Sequence, residues 1–178
     1  MPTHVALLRG INVGGKNPIR MSALAACFEE NGFENVSTYI QSGNVLFDAV
    51  GRAPELADRI EAMLARAFDY VPTVVVRSRR DMRAIVERAP DGFGSAPGTY
   101  RYDVIFLKEP LRPADAIRHV PARPGVDDVR AGPRVLYFSR LAAKATQSRM
   151  SKIVSSPIYP SVTIRNWNTT AKLLALMR

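Results

Sequence analysis

Apolar and polar residues alternate along the first eighty residues with two different periods. Runs with a period of two, or apolar throughout, predict short strands at about 3–9, 36–41, 45–49 and 73–76. Apolar residues at helical spacing predict helices at about 21–31 and 54–69. The predicted order is therefore βαββαβ, with "SGN" as the turn of a hairpin between the second and third strands.

The same order repeats after a short predicted helix at about 79–88 and the Gly/Pro-rich stretch "APDGFGSAPGTYR". "YDVIFL", "VDDVR", "RVLYFS" and "SVTIR" indicate strands, while "PADAIRHV", "QSRMSKIVSS" and a final "TTAKLLALM" indicate helices. We therefore predict an α+β protein of two tandem ferredoxin-like βαββαβ units, with mainly antiparallel sheets and an added C-terminal helix. The predicted domains are a first unit at 1–80, a short helix and linker at 81–101, and a second unit with the added helix at 102–178. A single larger α+β sheet is the alternative.

This topology predicts which segments meet in the first unit. In a βαββαβ unit a right-handed crossover makes the first two strands parallel, and the third strand fits between them. The end of the first strand and the tip of the hairpin then lie at the same sheet edge, on strands about 10 Å apart. We expect "RGINVGGKN" and "QSGN" to face each other there.

The stretch "RGINVGGKN" resembles a P-loop because it contains G-x-x-x-x-G-K. Asn17 stands where a P-loop needs a Ser or Thr hydroxyl, and Pro18 places Lys16 several residues before the predicted helix. We therefore expect no NTP hydrolysis. The loop still favours anion binding through flexible glycines, cationic side chains and amides: Gly10, Gly14, Gly15, Arg9, Lys16, Asn12 and Asn17. The alternative is a long βα connection whose glycines only turn the chain.

A second polar block, "TIRNWNTT", joins the last strand to the last helix. Arg165 is a candidate anion ligand, and Trp167 is a candidate stacking surface for a base or sugar. Asn168 or Thr169 is the expected N-cap of the helix. Capping, with Trp167 in domain packing, is the alternative explanation of the whole block.

Three segments, "LLRGINVGGKN", "TYIQSGNVLF" and "VTIRNWNTTAKL", resemble the signature blocks of bacterial domain-of-unknown-function family 1697. The resemblance implies an α+β fold with ferredoxin-like subdomains, and it implies no activity because the family has none established. The residues that match its motifs are our candidate ligand-binding residues: Arg9, Gly10, Asn12, Gly14, Gly15, Lys16, Asn17, Ser42, Gly43, Asn44, Arg165, Asn166, Trp167 and Thr169.

Composition narrows the classes of function. The 178 residues are 47% hydrophobic but contain no apolar run long enough for a membrane span, which needs about 18 residues, so we expect no membrane partner. The N-terminus lacks a signal-peptide pattern, and a single cysteine, Cys27, excludes an internal disulfide, so we expect a cytoplasmic protein. His4 and His119 have no partners at metal-ligand spacing, and we expect neither a metal nor a cofactor.

The charge balance favours an anionic partner. The net charge is +9 and the pI is near 10.2, so the expected partner is a nucleic acid or a phosphorylated small molecule. Two basic clusters are interpreted as solvated faces: one is "RSRRDMR", and the other is Lys144, Ser148 and Lys152 on one face of a predicted helix.

Three functions remain open. The first is a binding module for a phosphate-bearing ligand, a nucleotide or RNA, although single-strand RNA readers of this shape carry aromatic residues on the open sheet face and the first unit offers only Tyr39 and Phe47. The second is a metal-independent small-molecule enzyme with an Arg/Lys/Asn anion pocket. The third is a structural or partner-binding protein.

Overall fold

The computed structural model describes residues 2–11, 18–41, 43–69 and 72–177. The chain divides into two compact units: Met1–Met82 together with Lys172–Arg178, and Arg83–Ala171. Within the described ranges each unit carries a four-stranded antiparallel sheet. This confirms the predicted α+β class and the tandem ferredoxin-like arrangement. The domain boundaries inferred from the sequence stay a prediction.

The first unit has the predicted βαββαβ order. Its elements are β1 (His4–Arg9), α1 (Met21–Glu30), β2 (Glu34–Tyr39), β3 (Asn44–Asp48), α2 (Ala53–Ala67) and β4 (Thr73–Ser78), and α3 (Arg79–Glu87) follows directly. The strands lie in the order β2-β3-β1-β4. Because β3 is antiparallel to both β1 and β2, the predicted insertion of the third strand between the first two is confirmed.

One face of this sheet packs against α1 and α2. Side chains alternate between the two faces of a strand, and the buried set on this face is Ala6, Leu8, Val45, Phe47, Val74 and Val76. The helices contribute Leu24, Cys27, Phe28, Leu56, Ile60, Met63 and Leu64. Fully burying one such leucine or phenylalanine contributes about 1.5–3 kcal/mol, so this apolar stripe determines which side of α2 faces the sheet.

Strand β2 lies at the edge of the sheet and is irregular. Its pairing with β3 shifts register between Glu34 and Ser37, and Asn35 within this bulge has a φ of 50°. The Asn35 amide donates to Asp48 Oδ2 at 2.8 Å. This hydrogen bond lowers the pKa of the Asp48 carboxyl.

The second unit repeats the strand order of the first. Its elements are β5 (Tyr100–Leu107), α4 (Pro113–Ala116), β6 (Asp127–Gly132), β7 (Val135–Leu141), β8 (Val162–Asn166) and the start of α5 (Trp167–Leu176). The strands lie in the order β6-β7-β5-β8. One sheet face packs on Ala116, Met150, Ile153 and Ile158, through Ile105, Leu107, Leu136, Phe138 and Val162.

The helix predicted for "QSRMSKIVSS" is wrong. This region forms 3-10 segments at Ala142–Gln147 and Met150–Ser155, separated by Ser148 in an extended conformation. The Asp127 carboxylate, from β6, accepts the Arg149 backbone N–H at 2.9 Å. Ser148 Oγ accepts the Met150 N–H at 3.2 Å. These side chains satisfy donors that would otherwise bond carbonyls one α-helical turn earlier.

The two basic clusters differ only in part from their interpretation as solvated helical faces. Lys144 and Lys152 are exposed but do not share an α-helical face, because the helix between them is absent. Within "RSRRDMR", Arg77 is only 3% exposed, and its Nη1 donates to the Val76 carbonyl at 3.0 Å. Arg79 donates to the Pro2 carbonyl at 3.2 Å. Part of the chain's positive charge therefore supports the fold.

The described helices are short. The longest is α2 with 15 residues, and α1 and α5 have 10 each. In the part of the chain that the structure describes, no helix combines the length and the apolar character needed to cross a bilayer.

Candidate functional site

The end of β1 and the turn before β3 meet at the edge of the first sheet where the central strand β1 ends and the central strand β3 begins, and not along an outer strand. The Leu8 N–H donates to the Gly43 carbonyl at 3.0 Å. Gly43 has a φ of +76°, and a Cβ placed there would overlap the Ile11 Cγ2 methyl and lie 3.0 Å from Leu8 Cβ. Only glycine permits this close approach of the two segments. Gly10 also has a positive φ, +75°, and no atom of the described residues lies within 4 Å of where its Cβ would be.

Arg9 brings a cation to the same edge. It is the last residue of β1 and pairs in register with Thr73, the first residue of β4. Its Nη2 donates to Thr73 Oγ1 at 3.1 Å. Arg9 is half-buried, and this hydrogen bond ties its guanidinium to the neighbouring strand β4.

The remaining candidates of the first unit divide into two groups. Asn44 is fully buried, and its Nδ2 donates to the Tyr39 carbonyl at 3.0 Å, which closes the turn between β2 and β3. The others lie outside the described residues, and their roles stay predictions: Asn12, Gly14, Gly15, Lys16, Asn17 and Ser42.

The block at 165–169 lies in the second unit, at the junction of β8 and α5. Arg165 is 8% exposed, and its Nη1 donates to Thr163 Oγ1 and to the Ile164 carbonyl, each at 2.9 Å. Asn166 is the N-cap of α5, since its Oδ1 accepts the Thr169 N–H at 2.8 Å. The expected cap at Asn168 or Thr169 is wrong, because the helix begins directly after the strand without an intervening loop.

Trp167 belongs to an aromatic cluster centred on Phe93. The Phe93 ring centroid lies 5.1 Å from Trp167, 4.8 Å from Tyr102 and 5.3 Å from Tyr137. Each pair is edge-to-face, with interplanar angles of 90°, 65° and 66°, a favoured aromatic geometry. A Cβ at Gly94 would overlap the indole ring, so the Phe93-Gly94 turn lies directly against Trp167.

Tyr137 anchors this cluster to α3. Its hydroxyl donates to the Ile85 carbonyl at 2.5 Å, and burial raises the pKa of Tyr137 to about 12. The phenol therefore stays a neutral donor throughout the physiological range.

Sequence reasoning missed this aromatic face. It examined the open face of the first unit, where Phe47 instead packs in the core against Phe28 and Phe33. In the second unit, Tyr100 and Tyr102 on β5 lie on the same sheet face as Tyr137 on β7, as the pairing of Val104 with Tyr137 requires. The signal was present in the alternating aromatics of "TYRYDV".

Two cavities flank Tyr100 and Tyr102. The β5–α5 cavity, of about 340 Å³, lies between the start of β5 and the start of α5 and is lined by Arg101, Asp103, Arg140 and Trp167 as well as the tyrosines. The β5–β6 cavity, of about 320 Å³, is lined by Asp91, Asp128 and Arg130.

The β5–α5 cavity carries an excess of positive charge. Arg101 and Arg140 are directly opposite each other on neighbouring strands. The Nε of Arg140 is buried and has no hydrogen-bond partner among the described residues. Burial raises the pKa of Asp103, and the nearby Arg140 and Arg101 offset part of this shift. In the β5–β6 cavity, by contrast, Arg130 is paired with Asp128 at 3.0 Å.

Metal binding has no visible basis in the described ranges, where no three His, Cys, Asp or Glu side chains are grouped as a metal ion would require. Cys27 is buried, and burial raises the pKa of its thiol. A buried thiol with a raised pKa is a poor nucleophile and a poor metal ligand.

Comparison with known proteins gives a family and a fold. The structure is similar to that of the conserved bacterial protein SP0830 from Streptococcus pneumoniae, with a TM-score of 0.86 and 26% sequence identity over 99% of both chains. Comparison with the curated proteins gives no significant match. The sequence profile of the family described as "Protein of unknown function (DUF1697)" matches residues 1–137. The chain therefore belongs to this family.

Proposed function

We propose that the protein is a cytoplasmic binding module for a phosphate-bearing ligand, a nucleotide or RNA, and that the ligand binds where β1 ends in the first unit. The observation that carries the proposal is the close packing of Gly43 against Leu8 and Ile11. It brings the β2–β3 turn against the first residues of the glycine-rich loop. A surface made of glycine backbone allows an oxyanion to approach main-chain N–H groups.

Charge supports the same ligand class. The Arg9 guanidinium is held at this edge by Thr73, and a guanidinium fork can bind two phosphate oxygens. Lys16, which lies outside the described residues, adds a second cation to the loop in the sequence. The net charge of +9 raises the local concentration of polyanions around the whole chain.

A thermal-shift screen tests the proposal, with inorganic phosphate, nucleoside mono- and triphosphates, phosphosugars and short single-stranded RNA as probes. A ligand that binds only the native state raises its melting temperature. Lys16→Ala should weaken the best probe by about 1–3 kcal/mol, or roughly 5- to 150-fold in Kd, because it removes a charge-assisted contact. Arg9→Ala should weaken it as well.

Arg52→Ala is the matched control. Arg52 is exposed and lies between β3 and α2, at the opposite edge of the same sheet, where its partner is Glu55 at 3.5 Å. The Arg52→Ala substitution removes the same positive charge without altering the proposed site.

If RNA is the best probe, the logarithm of its binding constant should fall linearly with the logarithm of the salt concentration, by about 0.7 for each phosphate contacted. Equal weakening by the Lys16 and Arg52 variants, or no shift with any probe, would contradict the proposal.

A further inference from the structure

The β5–α5 cavity is a preformed recess in the second unit. Strand β5 pairs with β7 from Tyr100 onward but with β8 only from Asp103 onward. Residues 100–102 therefore extend beyond the end of β8, where the chain turns directly into α5. The cavity of about 340 Å³ lies beside this extension. Small-ligand pockets range from about 300 to 1,000 Å³, so it has room for one small molecule.

Aromatic side chains give this cavity flat apolar surface. Trp167 lines it, and so does Tyr100, which is 37% exposed. Phe93 packs against both Trp167 and Tyr102 at centroid distances of 5.1 and 4.8 Å. Aromatic side chains that are already held by packing lose little conformational entropy when a ligand stacks on them. Stacking of a base on an aromatic side chain contributes about 1–3 kcal/mol.

The charged residues favour an anion at one end of the same cavity. Arg101 and Arg140 are a directly opposed cross-strand pair, and like charges in this position repel each other. A phosphate between them would relieve the repulsion and accept a hydrogen bond from the buried Arg140 Nε. The neighbouring β5–β6 cavity lacks this feature, because its arginine is already paired with Asp128 and a second aspartate, Asp91, lines it.

We infer that the β5–α5 cavity binds a single nucleotide, with the base against Trp167 and Tyr100 and the phosphate on Arg101 and Arg140. Tyr100 and Arg101 project from opposite faces of β5, and the cavity is lined from both faces because residues 100–102 extend beyond the end of β8. Asp103 lies on the same face as the two arginines. This site is separate from the one proposed for the first unit, and it does not depend on that proposal.

Trp167 is the chain's single tryptophan and reports directly on the cavity. The probes are AMP, GMP, CMP and UMP, each titrated while the tryptophan fluorescence is followed. A free tryptophan amide corrects for light absorbed by the nucleotide. At least one monophosphate should quench saturably. Ribose 5-phosphate lacks the base and the free nucleoside lacks the phosphate, so each should bind at least about tenfold more weakly than the mononucleotide.

Variants assign the quenching to this cavity. Arg101 is exposed, so Arg101→Ala should fold normally and raise the Kd by at least about tenfold. Tyr100→Leu keeps apolar volume but removes the ring, and it should weaken binding as well. Arg130→Ala is the matched control, an exposed arginine on β6 of the same sheet, and it should leave the Kd unchanged.

Three results would overturn the inference: no saturable quenching by any mononucleotide, equal weakening by Arg130→Ala and Arg101→Ala, or weakening by Lys16→Ala but not by Arg101→Ala. The last result would assign nucleotide binding to the first unit and would support the proposed function alone. If a short single-stranded RNA binds tightly and no mononucleotide does, a strand rather than a single nucleotide is the ligand, and the inference is equally wrong.

Discussion

Replacing Gly43 by alanine should destabilise the protein through two separable effects. Gly43 has a φ of +76°, and this left-handed conformation costs an L-residue about 1–2 kcal/mol. Loss of glycine's freedom in the unfolded chain returns about 0.4–1 kcal/mol. The added methyl group would also overlap Ile11 Cγ2 and lie 3.0 Å from Leu8 Cβ, and overpacking of this kind costs about 1–3 kcal/mol. The sum is a loss of roughly 1–5 kcal/mol.

Gly10→Ala separates the two effects. Gly10 has nearly the same φ, +75°, but among the described residues nothing lies within 4 Å of the position of its Cβ. It should therefore show the backbone effect without an overlap against the described residues. The difference between the two variants is the packing contribution, about 1–3 kcal/mol, or roughly 2–12 °C in Tm for a chain of this length.

Urea unfolding followed by far-UV circular dichroism, together with thermal melts, measures both variants against the parent chain. Equal losses of unfolding free energy in the two variants would show that the segments at Gly43 and Ile11 are not in close contact. The proposed phosphate site would then lose its geometric basis, which is the contact between these two segments. A larger loss in Gly43→Ala supports the juxtaposition independently of any ligand.

Two further predictions concern single hydrogen bonds and a buried base. Asn166→Ala should lower the unfolding free energy by about 1 kcal/mol because it removes the N-cap of α5. Asn168→Ala, at an exposed position, should change the unfolding free energy little. Urea titrations that show the larger loss for Asn168→Ala would identify Asn168 as the cap instead. His4 is 8% exposed, and burial lowers its pKa although Asp81 and Asp48 pull it upward. Below about pH 6.5 the His4 side chain is therefore protonated more readily in the unfolded chain than in the folded one, so the unfolding free energy should fall as the pH decreases. His4→Gln should make the unfolding free energy less dependent on pH, as measured by unfolding titrations between about pH 7.5 and 5. An unchanged pH dependence would contradict a buried, neutral His4.

The element order was predictable because both periods in the sequence reflect burial on one face. Leu56, Ile60 and Leu64 all reach the core from one side of α2, and nothing distant competes with the local preference. The helix predicted at 147–156 was wrong because a residue distant in sequence competes with the local preference there. A carboxylate on β6, remote in sequence, accepts the Arg149 N–H, and no local pattern contains that information.

The candidate site was predictable only where topology alone determines it. The meeting of β1 with the turn before β3 follows from the strand order. The aromatic cluster does not, because Phe93 lies in a stretch whose glycines and prolines indicate a linker. Its partners Tyr102 and Trp167 lie beside it because β5 and β8 are paired, although they are distant in sequence. The N-cap was missed because "NWNTT" offers several capping side chains, and only the end of β8 selects Asn166.

The bulge in β2 has a consequence for the behaviour of the protein in concentrated solution. An edge strand presents unsatisfied main-chain groups that can template pairing with another molecule. In β2 the register shift and the positive φ of Asn35 bend this surface, and the strand sequence "ENVSTY" places polar side chains along it. A foreign strand would meet a kinked, hydrophilic border in place of a flat one, so this side of the first sheet resists the strand-by-strand growth that leads to fibrils.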